Sequence, residues 1–303
     1  MQSVTQNFAL YRQLVASRPH SSETFRTEEP APVSSHDERS RTTFVFAGGG
    51  SFGAVHVGML HSLANRGTAA DMVVGSSVGA LNGAYYAGNP SIEGIQRLDK
   101  IWRGLHRSDV FPLTWKTILG FLYRRDFLVT SDALRQLADE NLGYRNLEGV
   151  GMSEGPAAQA IIASAAVPAA FEPVHFNDLY LADGAGSSNT PVTVAVARGA
   201  RRLIVLPTGY ACALDKPPAG AVANALHALT LLIAHQLVNE LQGLDHSVDY
   251  FVVPLLCPLT GLPHDFSRTS ELIERAAVST DAWLSEGGLD RPGVHAQLST
   301  HKH

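Results

Sequence analysis

The chain has 303 residues, 45% of them hydrophobic, with 23 Lys and Arg against 28 Asp and Glu for a formal net charge of -5. Such a length and apolar content suffice for one large α/β domain with a full core, and the acidic balance offers no broad attraction to phosphate backbones, so nucleic acid is not an expected partner. The two cysteines, Cys212 and Cys257, lie in no metal-like spacing and give neither a disulfide framework nor a metal site.

Residues 1–41 are polar, with the run Ser34-Ser35-His36-Asp37-Glu38-Arg39-Ser40-Arg41, and read as a flexible tail with too few apolar side chains to offset the entropy of ordering. Its apolar patch Phe8-Ala9-Leu10-Tyr11 is cut short by Arg12 and Gln13, so no secretory leader is expected. The catalytic part is expected over 42–303.

Order begins at Thr42-Thr43-Phe44-Val45-Phe46-Ala47, a β-branched and aromatic run that predicts a buried strand ended by Gly48-Gly49-Gly50. From Gly53 to Asn65 the apolar Val55, Val57, Met59, Leu60 and Leu63 recur near a 3.6 period, a helix that Gly67 closes. Met72-Val73-Val74 predicts a second strand, and Gly75-Ser76-Ser77-Val78-Gly79 leads into a second helix reaching Gly88. Strand, helix, strand, helix over so short a span is a βαβ unit, which implies a parallel sheet covered on both faces.

Further helices are expected near 91–105, 131–141, 221–243 and 269–286, and strands at Ala160-Ile161-Ile162, Leu179-Tyr180-Leu181, Leu203-Ile204-Val205-Leu206 and Tyr250-Phe251-Val252-Val253. The apolar stretch from Ala221 to Val238 contains Asn224, His227, His235 and Gln236 and reads as a buried helix rather than a membrane span. The C-terminal part from about 211 is expected to be mainly helical. Residues 110–125 mix Phe111, Trp115, Phe121 and Tyr123 with Lys116, Arg124 and Arg125; they read either as a packed helical insertion or as a peripheral contact with a lipid surface. There is no internal repeat, and the oligomeric state is not readable.

Two glycine-cornered turns carry the chemistry. Gly48-Gly49-Gly50-Ser51-Phe52-Gly53 joins a strand to a helix and presents backbone N–H groups to whatever lies above the strand end. The same letters satisfy a dinucleotide fingerprint, but that reading needs an acidic residue after the second strand. Asp71 precedes that strand, and Gly75-Ser76-Ser77 follows it. G-x-S-x-G at a strand-to-helix junction is a nucleophile elbow: Ser77 is held on a strained turn at a helix N-terminus, and Gly75 and Gly79 remove side chains that would collide with neighbouring backbone. A serine hydroxyl needs a base within reach, and the next glycine-flanked polar residue at a strand end is Asp183 in Ala182-Asp183-Gly184-Ala185-Gly186. Taken alone, Asp183-Gly184 is also an ordinary turn in which the carboxylate bonds its own backbone.

Taken together, Gly48-Gly49-Gly50 with Gly53, Gly75-Ser76-Ser77-Val78-Gly79, and Asp183-Gly184-Ala185 followed by Asn189-Thr190-Pro191 resemble the patatin-like phospholipase family. The segment from Ala163-Ser164-Ala165-Ala166-Val167-Pro168 to Val174 resembles the stretch that family carries ahead of its aspartate. The resemblance implies an α/β three-layer sandwich around a mostly parallel sheet, and a Ser77–Asp183 dyad without histidine acting on lipid acyl esters. It also implies an oxyanion hole from the backbone N–H groups of Gly48, Gly49, Gly50 and Ser51, with no cofactor and no metal. Where the family often has Arg or Lys this chain has Phe52, which leaves the preference for phospholipid open. His56, His175, His235 and His264 are expected to be packed or surface residues. The remaining alternatives are a catalytically silent lipid-binding protein of the same fold and a dinucleotide-binding enzyme. The expected location is cytoplasmic, with peripheral membrane contact through 110–125 left open.

Overall fold

The computed structural model describes residues 41–111, 129–142, 146–147, 155–168, 170–176, 179–209, 220–257, 259 and 262–293. Outside them lie the expected tail up to residue 40 and residues 112–125 of the expected lipid-contact segment.

The central sheet runs β2 (Met72–Gly75), β1 (Thr42–Phe46), β7 (Arg202–Leu206) and β8 (Asp249–Val252) in that spatial order, with every pair parallel. Phe46 is opposite both Gly75 and Leu206, so β1, β2 and β7 end flush at one carboxyl edge. Each strand divides its side chains by parity. Phe44, Phe46, Ile204, Leu206 and Phe251 enter one apolar layer, while Val45, Leu203, Val205 and Val252 enter the other. Burial on both faces is why these strands read as unbroken apolar runs rather than alternating ones.

The first layer is filled by α1 (Ala54–Asn65), α2 (Val78–Gly88), α3 (Ile92–Gly104) and α9 (Thr269–Ser285). The Ser91 hydroxyl accepts the Gly94 N–H and fixes the start of α3, whose Ile95, Leu98 and Trp102 face inward at helical spacing. At Gly58 the backbones of α1 and α9 come so close that a Cβ would strike the Ile273 carbonyl and the Ala277 nitrogen. One turn on, the Ser62 hydroxyl donates to Ala277 O at 2.9 Å. The second layer holds α7 (Val192–Ala197), through Val192 and Ala195, and α8 (Ala221–Gln242), through Leu237 and Leu241. This is the expected three-layer α/β arrangement. Shorter elements complete it: α4 (Arg107–Val110), α5 (Asp132–Asn141), β3 (Asn146–Leu147), β4 (Gly155–Pro156), α6 (Ala157–Ser164), β5 (Val174–Phe176) and β6 (Leu179–Leu181).

Several local expectations change. Ala160-Ile161-Ile162 is not a strand but the middle of α6; three apolar residues among alanines carry no period that separates a buried helix from a strand. Leu179–Leu181 is a strand, yet it pairs antiparallel with β5 as a hairpin outside the central sheet. The Ala221–Val238 stretch is helical but not buried throughout. α8 is roughly 33 Å long at about 1.5 Å per residue, about twice the span of a five-residue strand. Ala234, Leu237 and Leu241 reach the core, while Leu229, Leu231 and Leu232 are exposed, Leu232 at 67%. Cys257 is disulfide-bonded, where the sequence was read as giving no disulfide framework. Among the described residues, no helix is long and apolar enough to cross a membrane.

Candidate active site

Ser77 sits where β2 gives way to α2, at φ 53° and ψ -126°, the one non-glycine residue with positive φ among the described residues. The strain is sustained by its surroundings. A Cβ on Gly75 would collide with the Gly79 carbonyl, and one on Gly79 with the carbonyl oxygens of Phe46 and Ala47, so the turn nests directly on the end of β1. The Ser77 N–H donates to Ser164 Oγ at the end of α6 (3.0 Å), and its carbonyl accepts from Ala80 N (2.9 Å). The residue is 7% exposed.

The glycine turn lies against this elbow: an ideal Cβ on Gly48 would stand 3.2 Å from Ser77 Cβ. Its N–H groups divide into two sets. Gly48 N–H donates to Asn189 O (2.8 Å), and Ser51 N–H to Pro263 O (2.7 Å). Within the described residues the N–H groups of Gly49 and Gly50 have no hydrogen bond. Of the four N–H groups expected as oxyanion donors, those of Gly48 and Ser51 are thus engaged by distant chain segments. Gly48 O is held in turn by the Thr208 hydroxyl and by Asn189 Nδ2. Gly50 has φ 58°, with the Pro263 carbonyl where a Cβ would go. Phe52 leans on the apolar core.

Asp183 follows β6, its own N–H donating to Ala166 O at 2.9 Å. One carboxylate oxygen, Oδ1, accepts the Ala185 N–H (2.7 Å), so the turn geometry expected of an isolated Asp-Gly is present. The other oxygen, Oδ2, is buried without a hydrogen-bond partner, an arrangement that costs free energy unless a donor arrives. Burial pushes the Asp183 carboxyl up, against the pull of the nearby Ser77 hydroxyl and the Ala185 N–H. Ser77 and Asp183 are near enough for that influence, while Asp183 Oδ2 stands without a formed hydrogen bond. A hydroxyl on a rotatable Cβ–Oγ bond can close such a gap, and catalytic contacts are commonly loose before substrate binds. Gly184 brings the two turns together, since a Cβ there would meet Ser76 Oγ at 2.8 Å.

The other sequence candidates separate clearly. Asp71 Oδ2 accepts Thr42 N–H at the amino end of β1 (2.7 Å), at the opposite edge of the sheet from the glycine turn, so the dinucleotide geometry is absent. His56 is fully buried and its imidazole is pushed down to about 3 by desolvation. His175 is exposed with its ring 5.0 Å from that of Tyr180, His235 is exposed and His264 half-buried. Among the described residues no three His, Cys, Asp or Glu side chains converge as a metal ion would need. Sequence reasoning gave no role to Ser164, although it stands in the segment that carried the resemblance. It also passed over Thr208 and Pro263, whose contribution comes from chain return and leaves no local signal.

The sequence model of the family described as Patatin-like phospholipase matches residues 44–196. The chain is 29% identical over 183 residues to Lysophospholipase NTE1 of Candida albicans, covering 54% of this chain and 13% of that protein. Over 75 residues it is 39% identical to a putative patatin-like phospholipase domain-containing protein of Caenorhabditis elegans, covering 23% of this chain and 7% of that one. The chain thus spans 13% or less of the length of these curated relatives. Among solved structures, VipD from Legionella pneumophila superposes with a TM-score of 0.41 at 15% identity, over 84% of this chain and 67% of that chain.

Proposed function

The chain belongs to the patatin-like phospholipase family, and from that premise we propose that it hydrolyses acyl esters of lipids, with Ser77 as nucleophile and Asp183 as its base. The observation that carries the reading is a strained, buried serine close to Asp183, a buried carboxyl whose Oδ2 lacks a donor. Burial raises the carboxyl toward the range in which it can take up and return a proton.

In this mechanism the Ser77 O–H proton passes to Asp183 as Oγ bonds to the ester carbonyl carbon. The carbonyl oxygen becomes an oxyanion held by the N–H groups of Gly49 and Gly50 and favoured by the N-terminal dipole of α2. Collapse expels the alcohol, which takes the proton from Asp183. Water then adds to the acyl-enzyme with Asp183 accepting its proton, and the second collapse releases the fatty acid and returns the proton to Ser77. Removing one such oxyanion donor typically costs on the order of 3–4 kcal/mol of transition-state stabilisation. Lysophospholipids are the leading substrate class, on the strength of the names of the fungal relatives, and Phe52 leaves no cation at that position to read a phosphate.

A fluorophosphonate probe tests this. The native chain should be labelled, Ser77→Ala should not, and lysophospholipid or p-nitrophenyl ester turnover should disappear with the label. A native chain that is folded but neither labels nor turns over any ester would sink the proposal.

A further inference from the structure

Between the glycine turn and the elbow lies a buried polar chain that the reaction itself does not use. His56 on α1, 0% exposed, points Nε2 at Leu206 O (3.0 Å) and Nδ1 at Asn82 Nδ2 (3.0 Å). Leu206 O can only accept, so Nε2 carries the hydrogen and Nδ1 is the acceptor. Desolvation keeps the ring neutral, with its pKa pushed down to about 3. Asn82 on α2, 1% exposed, uses its second amide hydrogen on Gly53 O (2.9 Å), and its Oδ1 accepts Trp102 Nε1–H from α3 (2.9 Å). Every donor in the chain is satisfied and every orientation is fixed by its neighbours.

The position of this chain gives it a consequence. Asn82 and Ser77 are joined by the first turns of one helix, and Gly53 closes the turn that holds Gly49 and Gly50. Leu206 O also accepts Ala47 N–H (3.1 Å), so the His56 end is tied to the residue just ahead of Gly48. Beside these hydrogen bonds α2 meets the turn through apolar packing, since a Cβ on Gly53 would meet the Val78 methyls, and such packing fixes distance but tolerates sliding. Hydrogen bonds from one amide to Gly53 O and His56 Nδ1 tolerate little.

We propose that Asn82 is a positioning residue that sets the register between Ser77 Oγ and the Gly49 and Gly50 N–H donors, with His56 and Trp102 holding its amide in the required orientation. The inference rests on the hydrolase reading above. A misplacement of about 1 Å remote from the chemistry can cost on the order of 100-fold in rate, so loss of this tie should appear in kcat.

The test compares native protein with Asn82→Leu, which keeps the branched heavy-atom outline without the hydrogen bonds, and with the milder Trp102→Phe, assayed well below each melting temperature. Expected for Asn82→Leu is a fall of about 10–100-fold in kcat and in fluorophosphonate labelling rate together. KM for a short-chain ester should stay within about twofold, and the pH–rate midpoint should not move, since neither residue donates the reacting proton. Trp102→Phe should change the same quantities in the same sense by several-fold. A folded Asn82→Leu variant with native kcat and labelling rate, whatever its melting temperature, would show a purely structural network and overturn the proposal. Should Asn82→Leu fail to fold, Trp102→Phe decides, and native kcat in it is the overturning result. Native protein that never labels overturns the hydrolase reading instead, which keeps the two failures distinct.

Discussion

The backbone at Ser77 makes a prediction that separates the serine's chemistry from its conformation. Ser77→Ala and Ser77→Gly both remove the hydroxyl and both should be inactive. Alanine keeps the Cβ at φ 53° and ψ -126°, a region that costs a non-glycine residue about 1–3 kcal/mol, whereas glycine enters it freely. Against that relief stands the greater freedom of glycine in the unfolded chain, about 0.4–1 kcal/mol. The Ser77 side chain makes no capping hydrogen bond at the start of α2, so both variants lose the same hydroxyl contacts. The balance favours glycine by about 1.3 kcal/mol at the centre of these ranges and by at most about 2.6 kcal/mol, which for a domain of this size is a rise of about 3–5 °C, at most about 10 °C, in melting temperature over Ser77→Ala, at roughly 2–4 °C per kcal/mol. Parallel melts followed by circular dichroism at one pH and one scan rate measure it. An alanine variant that melts at or above the glycine variant would refute strain at the elbow.

Asp183→Asn should be folded and without turnover. In native protein the acid limb of kcat/KM should fall at a pH above the ordinary carboxylate range, because burial raises the folded-state pKa; a limb within or below that range contradicts the burial argument. The native state holds this proton more tightly than the unfolded chain, so the stabilisation is present in full below the unfolded pKa and is lost as pH rises through the folded one. The melting temperature of native protein relative to Asp183→Asn should therefore drop with rising pH across that window, and a widening gap would reverse the sign. Gly50→Ala places a Cβ against the Pro263 carbonyl at φ 58°, and should cut kcat by on the order of 100-fold or more by displacing an oxyanion donor. Native turnover in a folded Gly50→Ala variant would remove Gly50 from the oxyanion hole.

Much of the candidate site was legible because its geometry requires local sequence. A serine on a turn that crowds Phe46 O and Ala47 O needs glycines on both sides, and those glycines are written two residues before and after Ser77. Asp183 could be found for the same reason, through Gly184 packed on Ser76 Oγ. The glycine turn was legible only as a segment. Which of its N–H groups remain open depends on Asn189 O and Pro263 O, and an acceptor brought in by a distant chain return has no local signature. The fold shows the same division: β1 and β2 were predicted from adjacent βα units, but the place of β7 beside β1 was not, since it is a long-range pairing. His56 was read as a packed histidine, and it is one; its ties to Asn82 and Leu206 have no sequence pattern.

The helix contact at Gly58 and the Pro263 carbonyl on Ser51 bear on what could be moved as a module. The family match ends at residue 196, whereas β7 and β8, half of the central sheet, come after it. A graft of 44–196 into another protein would strip β1 of its β7 ladder, uncover the α1 face that α9 occupies, and release the turn that Pro263 pins. The smallest transplantable unit therefore runs from Thr42 at least through the end of α9 at Ser285, and a fusion boundary placed at the edge of the recognisable motifs would carry the signature of the family without the geometry around Ser77.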